Sequence, residues 1–443
     1  MSLQNDRNFD IILYNVTYLD EKCEVIKDKV IAIKDGKIAK ILDDKKDFTA
    51  ETQIDCKYKF VMAGLVDGHL HTSQQLLRGR LLDEKPVIWK RVNVPFESNL
   101  NEETSELSAK VAALEMIKNG TTGFVDIGGK YVPNFADVYE KSGLRGRLTY
   151  MTNDSPFAPK ALTISPKEGL ERLIELNKNC KGLIKGYFSV PSLTAVSEEM
   201  INTIFSQAIE RDIPVQTHMN EYASEVFDFI EKYGERPFEY LEKKGLMSEK
   251  FVAAHCIFLS ESEKEIVKNY DVKVIHCPFS NCGKGVPETP QLLRQGISVG
   301  LGTDGSAHGG LDLFKEIRLF RGVMNIAHGI SKADPQIMPA ETLLSLATKG
   351  GSAALYEENI GTIKEGNKAD IIALDILQPH LFPTQNIVHT ITESACGNDV
   401  AHMIVDGKLL MKDRQVLTLD QEKIMFECAN YIEKYPQLAY WKA

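Results

Sequence analysis

The sequence predicts an α/β protein in which a TIM-like (β/α)8 barrel is joined to a small β-sandwich domain built from both termini. From residue 61 to about residue 360, apolar strand-like runs alternate with helical stretches, a pattern typical of βα units around a parallel sheet. Both ends carry short alternating strands instead, and neither end is long enough to bury a core alone. We therefore assign residues 1–60 and 364–420 to the β-sandwich, residues 61–363 to the barrel and residues 421–443 to a C-terminal helical extension.

The terminal strands follow from period-two alternation of apolar residues. At the N-terminal end, runs at 10–16, 29–33 and 37–41 predict a β-meander with a turn at Asp35-Gly36. The same pattern returns at 369–374 and 402–411. Strands from the two ends can share one core, which gives the composite domain.

The barrel prediction depends on the order of elements. Helical stretches at 103–119 and 197–211 are each followed by a strand, at 121–126 and 213–218. Further strand-like runs lie at 251–255, 272–276 and 297–304. Strands separated by helices form parallel sheets, and the length of this region suits eight strands better than an open sheet.

Composition excludes several classes of protein. The 443 residues include 52 Lys+Arg and 62 Asp+Glu, a net charge of −10, without a block of like charges that would bind nucleic acid. No apolar stretch approaches the length of a membrane-spanning helix, and the polar opening Met1–Asp6 contains no signal core, so we expect a cytosolic protein. Eight cysteines without C-x-x-C spacing predict reduced, mostly buried thiols, so any bound metal must be held by histidine and carboxylate.

A His-x-His pair ends the apolar run 61–71, which we interpret as one buried strand. Because side chains two residues apart leave the same face of a strand, His69 and His71 can meet one ion. Other polar groups follow predicted strands: His218 ends one, His255 ends another and Asp304 ends a third. Strand ends open onto one rim of a barrel, where active sites are built.

These residue types indicate hydrolytic metal chemistry. Imidazole and carboxylate ligands without thiolate suit zinc or ferrous iron. Such an ion lowers the pKa of a bound water, and Glu221, three residues after His218, can accept its proton. His255 can exchange a hydrogen bond with the same water, and Asp304 can orient it.

The chain resembles the amidohydrolase superfamily, in the branch that contains triazine chlorohydrolases and aminohydrolases together with nucleobase and nucleoside deaminases. The resemblance covers nearly the whole chain. It is carried by Gly64-Leu65-Val66-Asp67-Gly68-His69-Leu70-His71, Thr217-His218-Met219-Asn220-Glu221, Ala253-Ala254-His255-Cys256, His276-Cys277-Pro278-Phe279-Ser280-Asn281, Gly302-Thr303-Asp304-Gly305 and the run 361–370.

The resemblance implies a role for each of these residues. His69, His71, His218 and Asp304 look like the ligands of a single divalent metal ion, zinc first and ferrous iron as the alternative. Glu221 looks like the proton shuttle and His255 like a group that contacts the hydrolytic water. Lys185 is not expected to bridge two ions, because the His-x-x-Glu pair looks like the mononuclear pattern. The family also implies a homodimer or a higher homo-oligomer.

Substrate contacts are expected from six residues outside the metal set: Gln74, Trp89, Glu97, Ser192, Asn281 and His308. Trp89 offers a stacking wall, and Glu97 an acceptor for a ring N–H or a sugar hydroxyl. Ser192 stands where adenosine-type deaminases of this branch carry a histidine, and the surrounding residues look more like atrazine chlorohydrolase.

We therefore expect a metal-dependent hydrolytic deaminase that acts on the exocyclic amine of an N-heterocycle and releases ammonia. Purines, pterins, pyrimidines and triazines are the candidate small-molecule substrates, and neither nucleic acid nor a membrane is an expected partner. One alternative is a hydrolytic dechlorinase or N-dealkylase of triazines. Another is a metal-free scaffold protein of the same fold.

Overall fold

The computed structural model describes residues 8–44, 48–156 and 158–439. The polar opening Met1–Asp6, which begins the predicted β domain, and residues 440–443 of the predicted C-terminal extension lie outside the described residues.

Five strands form the N-terminal part of the fold: β1 Asn8–Leu19, β2 Val25–Lys34, β3 Lys37–Leu42, β4 Thr49–Asp55 and β5 Lys59–Ala63. β1, β2 and β3 pair antiparallel in the predicted meander. Asp35 and Gly36 join β2 to β3 with φ of 50° and 77°, the positive values that tight hairpin turns require. β4 and β5 pair parallel with β1 and were not predicted as separate strands.

Ten strands follow in the central region: β6 Leu65–His71, β7 Thr121–Asp126, β8 Arg145–Leu148, β9 Ile184–Gly186, β10 Phe188–Ser192, β11 Val215–Met219, β12 Phe251–His255, β13 Lys273–His276, β14 Val299–Leu301 and β15 Asp304–Gly305. They form two five-stranded sheets in the orders β15-β6-β7-β8-β9 and β10-β11-β12-β13-β14. Every pairing in both sheets is parallel, as the βα pattern predicts.

Four C-terminal strands complete the β structure: β16 Ile371–Asp375, β17 Val400–Val405, β18 Lys408–Lys412 and β19 Gln415–Val416. They join β1–β5 in one nine-stranded sheet, ordered β19-β18-β17-β16-β5-β1-β2-β3 with β4 on β1. Strands from the two ends of the chain therefore pair directly, through the antiparallel ladder between β5 and β16. Ile11 and Leu13 of β1 share a buried cluster with Ile371 and Ile404.

The predicted single strand 61–71 is wrong, because β5 and β6 belong to different sheets. Gly64 lies between them, and its N–H donates to the carbonyl of Asp370, 3.0 Å away, whereas Leu65 N–H donates to the carbonyl of Gly120. A Cβ at Gly64 would lie 2.1 Å from the Thr122 side chain, so only glycine fits this crossing. A continuous apolar run cannot reveal which sheet each half joins.

Helices connect the strands, and two of them match the predicted helices 103–119 and 197–211 to within about a residue. Asn101 caps the first in a capping box with Thr104, and Ser197 caps the second. The α-helices are α1 Val94–Ser98, α2 Glu102–Lys118, α3 Val132–Ser142, α4 Pro166–Asn179, α5 Glu198–Glu210, α6 Ala223–Tyr233, α7 Pro237–Lys243, α8 Glu261–Asn269, α9 Pro278–Asn281, α10 Thr289–Arg294, α11 Leu313–Met324, α12 Ala340–Ser345, α13 Gly351–Ala353, α14 Ile387–Ser394, α15 Gln421–Lys434 and α16 Pro436–Ala439.

Among the described helices, none combines the length and the apolar character needed to cross a membrane. All eight cysteines are free thiols, as expected, but three are fully buried and Cys282 is exposed, so burial is less general than predicted.

Candidate active site

Four side chains meet where strands of the two parallel sheets end. His69 and His71 close β6, His218 lies near the end of β11 and Asp304 begins β15. One ligand atom from each lies within 4.8 Å of the others. Nε2 of His71 is 3.0 Å from Oδ1 of Asp304 and 3.3 Å from Nε2 of His218, and Nε2 of His69 is 3.6 Å from the same Asp304 oxygen. The structure thus brings together the four predicted ligands.

The chemistry of this cluster fits a divalent cation. Both ring nitrogens of His69 are buried and have no hydrogen-bond partner within the described residues, which is costly unless another group binds one of them. His218 directs Nδ1 to the carbonyl of Pro191, 2.5 Å away, so its Nε2 is left as an acceptor facing the cluster. Burial lowers the pKa of His69 and of His218, which favours the neutral imidazoles that bind metals.

A buried carboxylate behind the cluster, Asp67, fixes its geometry. Asp67 accepts hydrogen bonds from the backbone N–H of His69, 3.2 Å away, and from both the N–H and the hydroxyl of Thr303, at 3.0 and 2.6 Å. It therefore ties the metal-facing end of β6 to the residue before Asp304. Burial raises the pKa of Asp67 to about 7. The sequence alone indicates no role for Asp67, because nothing in the motif shows which backbone groups it contacts.

His255 presents one nitrogen to the site. Its Nδ1 lies 2.9 Å from Oδ1 of Asn281, so a proton on Nδ1 donates there and Nε2 remains an acceptor. Nε2 is buried without a hydrogen-bond partner among the described residues, 3.6 Å from Oε1 of Glu221 and 3.8 Å from Oδ2 of Asp304. Burial lowers the pKa of His255 to about 4, which keeps the ring neutral near pH 7.

Glu221 is buried beside a cation that the sequence alone did not indicate. Oε1 of Glu221 lies 2.6 Å from Nζ of Lys284, whose side chain is only 4% exposed. Burial alone would raise the pKa of Glu221, but the Lys284 ammonium and then His255 lower it to about 2. A single lysine in Cys282-Gly283-Lys284-Gly285 has no motif spacing that could have indicated this contact.

A cavity opens over this cluster. Its wall includes His71, His218, Glu221, Lys284 and Asp304. Five of the six predicted substrate residues also line it: Gln74, Trp89, Glu97, Ser192 and His308. The sixth, Asn281, is not among the lining residues, and its side-chain oxygen lies 2.9 Å from Nδ1 of His255.

Hydrogen bonds orient two walls of the cavity. Trp89 lies on a π-helical turn, Trp89–Asn93, and its indole N–H donates to Glu225, 3.0 Å away. Nε2 of Gln74 donates to Glu97 at 2.8 Å, and burial raises the pKa of Glu97.

Lys185, in contrast, is 56% exposed and pairs with Glu357, 2.7 Å away, in agreement with its predicted absence from the site.

A model of the amidohydrolase family matches residues 60–410, well over half of the chain. The chain is 34% identical over 431 residues to a 5'-deoxyadenosine deaminase of Methanosarcina acetivorans, covering 96% of this chain and 98% of that protein. It is 33% identical over 426 residues to a 5-methylthioadenosine/S-adenosylhomocysteine deaminase of Dictyoglomus turgidum, covering 94% and 97%.

Solved structures resemble the whole fold. An adenosine deaminase from Xanthomonas campestris with bound zinc superimposes with a TM-score of 0.90 at 26% identity, covering 97% of this chain and 99% of that one. An atrazine chlorohydrolase from Arthrobacter aurescens TC1 complexed with zinc gives a TM-score of 0.88 at 20% identity, covering 95% and 100%, which is a likeness of fold. The motifs, the metal-compatible cluster and these matches agree: the chain belongs to the amidohydrolase family.

Proposed function

We propose that this protein is a metal-dependent hydrolase that removes an exocyclic amine from an N-heterocycle and releases ammonia. The observation that carries the proposal is the cluster of four ligand-type side chains, three of which line a cavity, with Glu221 and the acceptor nitrogen of His255 beside them. The relatives named as deaminases of adenosine derivatives support an amine as the leaving group.

His69, His71, His218 and Asp304 would hold the ion, with zinc as the first candidate and ferrous iron as the alternative. When bound, a divalent ion supplies Lewis-acid activation of water at neutral pH. The protein's own groups do the rest. His255 accepts a hydrogen bond from the attacking water at Nε2, and Glu221 accepts a proton and passes it to a ring nitrogen. The second proton of the water moves to the amine, which leaves as ammonia, and a carbonyl remains on the ring.

The cavity wall supports a purine nucleoside as the substrate. In this proposal the face of Trp89 stacks on the heterocycle, while Glu97, held by Gln74, accepts a ring N–H or a sugar hydroxyl. Ser192 and His308 contact the remaining edges. Adenosine derivatives modified at the 5' position are the first substrates to test, since two of the relatives are named for them.

The proposal extends to the architecture. One residue separates β9 from β10, and two residues separate β14 from β15. If each pair is one interrupted strand, the two parallel sheets join into a closed eight-stranded barrel, which we place at 61–363. Segments 1–60 and 364–420 then form the β-sandwich domain, and 421–443 the C-terminal extension. A cytosolic location and a homodimer or higher homo-oligomer belong to the same proposal.

Dechlorination or N-dealkylation of triazines is the second candidate, favoured by Ser192 on the cavity wall. A chloride ion can leave without a proton, whereas an amine must gain one. The proton transfer that we assign to Glu221 therefore favours an amine as the leaving group.

The experiment is a substrate screen with purified protein, preceded by metal analysis. We expect about one bound zinc or iron per chain and ammonia release from 5'-deoxyadenosine, 5'-methylthioadenosine or adenosine, with guanine, pterins, cytosine and aminotriazines as further test compounds. Chloride release from chlorotriazines alone would replace the proposal by the second candidate. Protein without bound metal or turnover would support the scaffold interpretation.

A further inference from the structure

Lys284 is a buried cation whose N–H donors are directed at the acid–base side of the site. Besides the 2.6 Å contact with Glu221, its Nζ donates to the hydroxyl of Ser280, 2.5 Å away, and lies 3.5 Å from Oδ2 of Asp304. The ring centroid of Tyr222 is 5.5 Å from the ammonium. A buried ammonium is costly unless it is paired with an opposite charge, so the groups around Lys284 should explain why a lysine is buried here.

The electrostatic reason is the proximity of two carboxylates. Glu221 and Asp304 both line the same cavity and are 5% and 6% exposed, so solvent screens their mutual repulsion poorly. Lys284 contacts one oxygen of each. Nζ of Lys284 lies 2.6 Å from Oε1 of Glu221, whereas Nε2 of the neutral His255 lies 3.6 Å away. Within the described residues, Lys284 is therefore the charged group nearest to Glu221. Without the ammonium, Glu221 would lose its shortest polar contact, the 2.6 Å ion pair with Lys284.

The backbone holds Lys284 in place through the residue that also orients His255. The N–H groups of Lys284 and Gly285 both donate to the carbonyl of Asn281, at 2.8 and 2.9 Å. The side chain of the same Asn281 bonds Nδ1 of His255. Helix α9 and the residues just after it therefore position both groups assigned to proton handling, His255 through Asn281 and Glu221 through Lys284.

We propose that Lys284 is a positioning residue for the deamination: its ammonium bridges Glu221 and Asp304 and holds the Glu221 carboxylate toward the cavity. The inference rests on the proposed function, because it concerns the residue assigned there to proton transfer.

The test compares Lys284→Met with Lys264→Met in the full-length, metal-loaded protein. Lys264 is a matched control, since its side chain is 1% exposed and pairs with Glu261 and Glu288 on the α8 side. For Lys284→Met we expect bound metal to be retained, KM to change little and kcat for ammonia release to fall about 100-fold, the cost of a roughly 1 Å misplacement of a reacting group. Lys264→Met is expected to keep kcat, and Lys284→Arg to recover part of it.

A double-variant cycle shows whether Lys284 acts through Glu221. Adding Lys284→Met to Glu221→Gln should lower kcat, and the midpoint of unfolding, much less than the same change does in the natural protein. The midpoint of unfolding reports on the pairing of Lys284 with Glu221 and does not require turnover. If Lys284→Met folds poorly, Lys284→Gln, which keeps N–H donors without the charge, takes its place.

Two results would overturn the inference: wild-type kcat in the folded variant that lacks the Lys284 charge, or equal losses from that variant in the natural and the Glu221→Gln backgrounds. Absence of ammonia release from the natural protein would instead contradict the proposed function, and the unfolding cycle would still decide the pairing.

Discussion

Replacing Glu221 by glutamine tests the proposed mechanism at its acid–base step. The change keeps the shape of the side chain and removes its charge and its ability to carry a proton. Loss of a positioned general acid–base group lowers a rate about 10²- to 10⁴-fold, so we expect kcat to fall within that range. The metal ligands are unchanged, and the content of bound metal should stay the same.

The structure also predicts a cost in stability. Removing one partner of a buried ion pair costs about 3–5 kcal/mol, because the other charge is left buried without compensation. The Lys284 ammonium would keep the Ser280 hydroxyl, at 2.5 Å, and the more distant Asp304 carboxylate at 3.5 Å. Glutamine can still accept one N–H at Oε1. We therefore expect the lower end of that range, about 3 kcal/mol in the free energy of unfolding.

The assay is steady-state ammonia release, with metal analysis and denaturant unfolding on the same samples. Glu225→Gln is the matched control, since Glu225 is also buried and lies four residues farther along the chain, in α6. Burial and the nearby Glu221 charge raise the pKa of Glu225 to about 8, so glutamine resembles its neutral form and still accepts the Trp89 N–H. We expect that variant to keep most of its activity. A normal kcat in Glu221→Gln would remove Glu221 from the mechanism, and loss of metal would make it a ligand instead.

The remaining predictions concern metal binding, substrate binding and pH. His71→Ala removes one of the four ligand-type side chains, so bound metal and turnover should be lost together; metal content equal to that of the natural protein would exclude His71 as a ligand. Trp89→Ala should raise KM about tenfold with a smaller effect on kcat, the size expected for one lost aromatic stacking contact, and an unchanged KM would contradict the stacking role. His276 is fully buried, and burial lowers its pKa from 6.5 to about 4. Between these two pH values the unfolded chain binds a proton at His276, whereas the folded protein does not. Stability should therefore fall as the pH falls through this window, by about 2 kcal/mol more between pH 7 and 5 than in His276→Asn, whose amide can still donate to the carbonyl of His255. Parallel curves for the two proteins, from denaturant unfolding at each pH, would show that His276 titrates normally.

The metal cluster was predictable because its members carry local signals. Side chains at i and i+2 on a strand share a face whatever the rest of the chain does, and parallel strands in one barrel end at one rim. His69, His71, His218 and Asp304 could thus be expected together from strand positions alone, and the structure brings them within 4.8 Å. The terminal strands were predictable from alternation, although the sequence did not separate β5 from β6.

Other features depend on contacts between distant parts of the chain. Asp67 belongs to the His-x-His motif, yet its role follows from Thr303, which lies on another strand connection and donates two hydrogen bonds to it. Asn281 was expected to contact substrate, but it ends helix α9, is not among the residues that line the cavity and bonds Nδ1 of His255 with its side chain. Lys284 had no signal at all, since one lysine between glycines reads as an exposed loop residue.

By itself, the sequence determined which chemistry this protein can support, because ligand types and strand periodicity are local properties of the chain. Only the tertiary structure decided how that chemistry is arranged: which nitrogen of His255 faces Glu221 and Asp304, which cation pairs with Glu221 and which carboxylate holds the backbone beside the four-residue cluster. These choices depend on burial and on hydrogen bonds between residues far apart in sequence. The energy of a buried charge is set by what surrounds it in space, and not by its neighbours along the chain.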